Sequence, residues 1–188
     1  QTLATDELLN EVEQSTTRIS ELVKAIKEYS YMDQAHQQEV DVHEGLENTL
    51  TILNHKLKGG ITVTRAYDRS LPRISVYGSE LNQVWTNLLD NAIDALQGHG
   101  HIWIRTSRAG AFITVEIADD GPGIPPEIQS RIFEPFFTTK GVGKGTGLGL
   151  DIAYRIVVTN HHGDLSVVSK PGETRFQICL PLDRSLLA

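Results

Sequence analysis

The amino-acid sequence predicts an α+β domain, with one layer of helices on a mixed sheet, carried behind a long α-helix. Three observations predict it. Apolar residues near the start of the chain recur in alternating steps of four and three, the spacing of a helix seam. Beyond them, segments with helical spacing alternate with segments of strand character, some joined as hairpins. At 188 residues and 39% hydrophobic, the chain can bury one sizeable core and carry an appendage, and a second full domain would be a tight fit.

The seam runs through Leu8, Val12, Ser15, Ile19, Leu22, Ile26 and Tyr29, and Leu9 and Val23 widen it. Such a stripe calls for a helical partner, as a bundle face or a two-stranded coil. Residues 1–32 are therefore assigned to this helix, the polar stretch 33–39 to a linker, and residues 40–188 to the globular domain. In the domain, Val40 to Val42 is a strand candidate, and Leu46, Leu50, Leu53 and Leu57 mark a helix over 44–57 that Gly59 and Gly60 terminate. Strands are expected at 61–67 and 73–77, then a helix capped by Ser79 that runs to Leu96 and stops at Gly98. A hairpin over 101–107 and 112–118 turns at Ala109 and Gly110; a helix over 148–160 and strands at 165–169 and 175–180 complete the order.

Composition narrows the function. A formal net charge of -7 supplies no broad cationic surface, which argues against nucleic-acid binding. The lone Cys179 cannot form an internal disulfide, no Cys/His spacing resembles a zinc site, and a buried strand cysteine in a reducing compartment is expected. No apolar run is long enough to span a bilayer and no leader is evident, so the segment is expected to be soluble and without membrane contact. It opens at Gln1, already inside a helical pattern, as an excerpt of a longer protein would.

Three motifs carry chemistry. Asn87 and Asn91 stand one turn apart on the helix after Ser79, so two amides share one face. That pair suits a magnesium ion held by few protein groups plus phosphates, and it equally suits a solvated helix face. Asp119 to Gly123 (DDGPG) ends a strand in a turn where side-chain-free residues let a ligand approach the backbone. A carboxylate there can accept from an exocyclic amine such as adenine N6, although an ordinary acidic turn has the same letters. Lys144 to Leu150 (KGTGLGL) sets Gly145, Gly147 and Gly149 around Leu148 where a helix begins, so free N–H groups converge as phosphate would need. Lys140 and Lys144 add charge beside it; a flexible glycine loop is the plainer alternative.

In this order and at these intervals the motifs resemble the GHKL superfamily of ATP-binding domains (gyrase, Hsp90, histidine kinase, MutL), and among them the sensor histidine kinases most. Asn87 and Asn91 match the N-box, Asp119, Gly121 and Gly123 the DxGxG motif, FEPFFTTK at 133–140 the F-box, and Gly145, Gly147 and Gly149 the second glycine box. Thr174, within GETRFQICLP, matches the threonine that helps hold adenine, and the likeness spans residues 40–182. The resemblance implies a two-layer α/β sandwich of the Bergerat type with a mobile lid from about 125 to 147. It implies ATP and Mg2+ as ligands, with adenine on Asp119, the metal on Asn91 and phosphates on Asn87.

Within that superfamily the hydrolases place a water-activating Glu where this chain has Asn87, which cannot act as a base at neutral pH. A histidine kinase needs no such base, because its imidazole nucleophile has a ready lone pair. The implied function is phosphoryl transfer from ATP to a histidine on a dimerisation helix, then to an aspartate on a response-regulator receiver domain. The implied assembly is a homodimer through a helical hairpin, in the cytoplasm. The helix over 1–32 resembles the second hairpin helix and carries no His, so the acceptor is expected outside this segment. His43, although followed by Glu44, is expected to be a surface or capping residue, His161 and His162 to bond helix-end carbonyls, and His36, His55, His99 and His101 to lie on loops or surface. Many kinases carry Lys or Arg where this chain has Asp94, and Lys140 or Lys144 is expected to compensate.

Overall fold

Asp41 decides where the first helix of the domain begins. Its side chain accepts the His43 backbone N–H at 2.8 Å, which satisfies one of the free donors at a helix start. The computed structural model describes Thr16, residues 37–141 and residues 145–182. The heptad seam of residues 8–29 and Lys144 lie outside the described residues.

The chain runs β1 (Gln38–Val40), α1 (Val42–Leu57), β2 (Ile61–Ala66), β3 (Ile74–Val76), α2 (Gly78–Leu96), β4 (Gly100–Ala109), β5 (Phe112–Asp119), α3 (Pro126–Gln129), α4 (Gly149–Tyr154) with a π-helical continuation (Arg155–Asn160), β6 (Asp164–Lys170) and β7 (Glu173–Pro181). The main sheet has five strands in the order β2-β4-β5-β7-β6. Only β2 and β4 pair in parallel; the other neighbours are antiparallel. β1 and β3 form a separate antiparallel pair.

Alternation along the strands sends one set of residues into the core and the other to water. Ile102, Ile104, Ile113, Val115, Ile117, Ile178 and Leu180 are buried, whereas Trp103 and Val168 are exposed. Leu46, Leu50 and Leu53 of α1 and Leu81, Trp85, Leu88, Leu89 and Ile93 of α2 complete one continuous core with them. One layer of helices on one sheet is the expected two-layer α/β sandwich.

Five local expectations need correction, the simplest being Cys179, which lies on β7 as expected but is only partly buried. Val40 to Val42 is not a strand: β1 is Gln38–Val40 and Val42 opens α1, because the Asp41 cap overrides the alternation of two valines. β1 therefore starts inside the stretch read as linker. Ser79 does not cap α2, whose N-cap is Tyr77 without a side-chain cap bond.

The helix expected over 148–160 is α-helical only for Gly149–Tyr154 and then widens to π geometry. His161 stands at that end, fully buried. Its backbone N–H reaches Ile156 O at 3.1 Å and its Nδ1 meets the same carbonyl at 2.8 Å. A carbonyl only accepts, so Nδ1 carries the proton and Nε2 accepts from the Tyr77 N–H at 3.2 Å. Sequence reading had this histidine bonding a helix-end carbonyl, which it does.

His43 is neither exposed nor itself a cap. It is buried, with Nε2 at 2.8 Å from Thr106 Oγ1 on β4 and its ring against Tyr67.

Candidate functional site

A cleft of about 570 Å³ opens between α2 and the segments that follow β5. Asp119, Gly123 and Thr174 line one end of it, while Asn87, Asn91, Lys140, Gly145, Gly147 and Gly149 line the other. Gly121 and Leu148 are not in the wall: Gly121 backs Asp119, and Leu148 packs against the core.

At the first end the sheet ladder does the positioning. Asp119 ends β5 directly opposite Thr174 on β7, and both side chains are buried. Asp119 Oδ1 accepts the Gly121 N–H at 2.9 Å, and its second oxygen has no protein partner among the described residues, which leaves it for a donor in the cleft. Burial pushes the Asp119 carboxyl up to about 6, repulsion from Asp120 adds to this, and the Gly121 N–H opposes it. A carboxylate largely desolvated and one protein bond short is a strong acceptor for a ligand N–H.

The turn after Asp119 is tied to the β6–β7 turn by residues that no motif had singled out. Ser169 Oγ accepts the Ile124 N–H at 2.8 Å and meets Thr174 Oγ1 at 2.8 Å. Gln129 Nε2 donates to Ile124 O at 2.7 Å and to Ser169 O at 3.0 Å. Gly123, at φ +84°, stands so close that a Cβ would lie 2.3 Å from Lys170 O, a position only glycine fills without strain.

At the other end α2 presents Asn87 and Asn91 one turn apart, as their spacing predicted. Asn87 Nδ2 is buried and has no hydrogen-bond partner among the described residues. Such an orphaned donor is costly unless a ligand acceptor completes it. Gly149, the first residue of α4, brings its backbone beside Asn87: a Cβ there would lie 3.6 Å from Asn87 Cγ. Gly147 has φ +69°, and a Cβ on it would come within 2.4 Å of the Phe136 carbonyl carbon. The glycine segment is thus pressed onto the 133–140 segment, whose Phe133 ring packs against Tyr154 at 5.3 Å and Phe176 at 6.4 Å.

Lys140 reaches across the cleft, forms an ion pair with Asp94 on α2, and lies 3.5 Å from Asn91 Oδ1. Among the described residues no group of three or more His, Cys, Asp or Glu side chains could hold a metal ion. A divalent cation here would need amide oxygens and the ligand's own oxygens, which is the way magnesium is commonly held. No helix among the described residues is long and apolar enough to cross a membrane.

Comparison with known proteins places the domain in one family. Residues 77–184 match the family described as histidine kinase-, DNA gyrase B-, and HSP90-like ATPase. The sensory histidine kinase/phosphatase NtrB of Rhodobacter capsulatus is 34% identical over 189 residues, covering 94% of this chain and 52% of that protein. The chain thus spans about half the length of the curated relatives it matches. Among solved structures, the catalytic domain of the histidine kinase ThkA superposes with a TM-score of 0.72 at 30% identity, over 78% of this chain and 96% of that one. ThkA in complex with the response regulator TrrA gives 0.76 at 27% identity, over 93% of this chain and 50% of that one.

Proposed function

The chain belongs to the family of histidine kinase-, DNA gyrase B- and HSP90-like ATPases, and from that premise we propose that it is the ATP-binding catalytic core of a two-component sensor histidine kinase. One observation carries the reading: a single cleft has a dry, underbonded carboxylate and Thr174 at one end and an orphaned amide donor with glycine backbone at the other. That polarity fits a nucleotide, with a base that donates from an exocyclic amine and a triphosphate that only accepts.

In this reading Asp119 accepts from the N6 amine of adenine and Thr174 supports it, with Gly121 and Gly123 giving the base room. Asn87 Nδ2, Lys140, Lys144 and the backbone of Gly145, Gly147, Leu148 and Gly149 serve the phosphates, and Asn91 is the protein ligand of Mg2+. Magnesium, when bound, neutralises phosphate charge. The γ-phosphorus to bridging-oxygen bond of ATP breaks, a bond from phosphorus to an imidazole nitrogen forms, and ADP departs. Asn87 supports transfer to histidine over transfer to water, since an amide cannot deprotonate water at neutral pH.

The acceptor histidine is assigned to a hairpin helix outside this segment, residues 1–32 to the second helix of that hairpin and the homodimer contact, and 33–39 to the linker. A response-regulator receiver domain is the onward acceptor, a reading supported by the ThkA complex with TrrA. Such a kinase core works in the cytoplasm. The test combines this chain, radiolabelled ATP and Mg2+ with a separately produced hairpin bearing an acceptor histidine. Label should appear on the hairpin and only when the chain is present. Label on this chain's own histidines would refute the acceptor assignment, and tight Mg-ATP binding with no transfer would leave only a nucleotide-binding module.

A further inference from the structure

Lys140 and Asp94 lie far apart in sequence and are brought together only by the fold. Asp94 follows Asn91 by less than one turn of α2, so both project toward the cleft, and both line it. A bare carboxylate at that place would repel the phosphates that the orphaned Nδ2 of Asn87 awaits. The Lys140 ammonium cancels that charge, and its contact with Asn91 Oδ1 at 3.5 Å sets it over the amide assigned to the metal.

A lysine on a long stem is a flexible point charge, and an exposed pair biases it toward one side of the cleft before a ligand arrives. Of its three N–H donors the carboxylate takes one, and the long contact to Asn91 Oδ1 gives way when that oxygen takes the metal, which leaves two for incoming phosphate oxygens. We propose that Asp94 is a positioning residue: it keeps the Lys140 ammonium at the cleft beside Asn91, so that a cation carried by the segment between β5 and α4 is near the polyphosphate when the nucleotide arrives. The inference rests on the nucleotide reading above. It makes Asp94 and Lys140 one unit in which each corrects the other.

A double-mutant cycle on the 188-residue chain, read by calorimetric titration with Mg-ATP, tests it. Lys140→Ala should weaken binding about 30-fold, since it removes a cation and uncovers a carboxylate, and Asp94→Asn about 3-fold, since it only frees the lysine. The double variant should bind about 10-fold more weakly than wild type, better than Lys140→Ala alone, because no uncovered carboxylate remains. Adenosine, which has no phosphate, should bind all four proteins alike.

A double variant as weak as the product of the two singles overturns the proposal, as does equal loss of adenosine and Mg-ATP binding in Asp94→Asn. Failure of the wild-type chain to bind Mg-ATP would instead defeat the nucleotide reading itself. A wild type that binds, an Asn91→Ala that binds more weakly and an additive cycle would defeat only the role of Asp94.

Discussion

Where β5 and β7 meet, Asp119 and Thr174 are 4% and 5% exposed and face each other across a sheet ladder, whereas at the other end of the cleft the Lys140 and Asp94 side chains meet while 36% and 40% exposed. The first end is preorganised: strand pairing sets the distance, and the surrounding core leaves the carboxylate open to water only through the cleft. The second is assembled from an exposed ion pair and a glycine segment, so its parts are weakly held singly and free to rearrange. Recognition strength should therefore concentrate at the dry end, and adjustability at the wet one.

The sharpest way to break that contrast is Asp119→Asn. The amide oxygen can still accept the Gly121 N–H, but the amide nitrogen then points a donor at the donor of the ligand. ATP affinity should fall about 100-fold or more, which calorimetry reads directly. The same variant should melt at a higher temperature without ligand. The sign follows from Asp119 having its folded-state value near 6 against an ordinary 3.8: the folded protein holds that proton more tightly, so stability is lost as pH rises from about 4 to 6 and the full penalty is present above 6. Relief of that penalty at pH 8 is on the order of 1–3 kcal/mol once water in the open cleft is allowed for. An Asp119→Asn protein that is less stable at pH 8 would show that the dry end carries no such strain.

Asn91→Ala should come next, with about 30-fold weaker Mg-ATP binding and little change for ATP measured in a chelator. Equal losses with and without magnesium would move the metal off α2. A smaller effect follows from acid alone. Because the ligand amine needs the carboxylate, whose value lies near 6, ATP affinity should fall about fivefold from pH 6 to pH 5, and this part of the slope should vanish in Asp119→Asn. The smallest effect belongs to Lys56→Ala, which removes the exposed ion pair to Asp90 at 2.6 Å. Thermal melts should register a loss below about 1 kcal/mol, and Mg-ATP affinity should fall only about twofold, since the uncovered Asp90 lines the cleft but stays exposed to water; a tenfold or larger loss would mean that the wet end is more rigid than its exposure suggests.

Contrast between near and distant partners also explains what could be read without coordinates. The pair Asn87 and Asn91 needed only helical geometry, and Asp119 followed by Gly121 and Gly123 needed only the end of a strand. Ser169 and Gln129 escaped notice because their partners near Ile124 are 45 and 5 residues away, and nothing in the local letters around Ser169 marks it. The buried place of His43 was equally hidden, since Thr106, which it bonds, lies 63 positions on. Val40 to Val42 shows the opposite error, in which a short alternation was trusted over a capping aspartate two positions before the amide it bonds.

From the chain alone came the α+β class, the order of helices and strands in the domain, and the chemical types at the two ends of the cleft, because periodicity, capping and turn chemistry act over a few residues. The fold had to decide which groups face each other across the cleft. It set Thr174 opposite Asp119, left Asn87 Nδ2 without a partner among the described residues, and brought Lys140 to Asp94, because burial and ion pairing depend on where distant segments arrive once the core has closed.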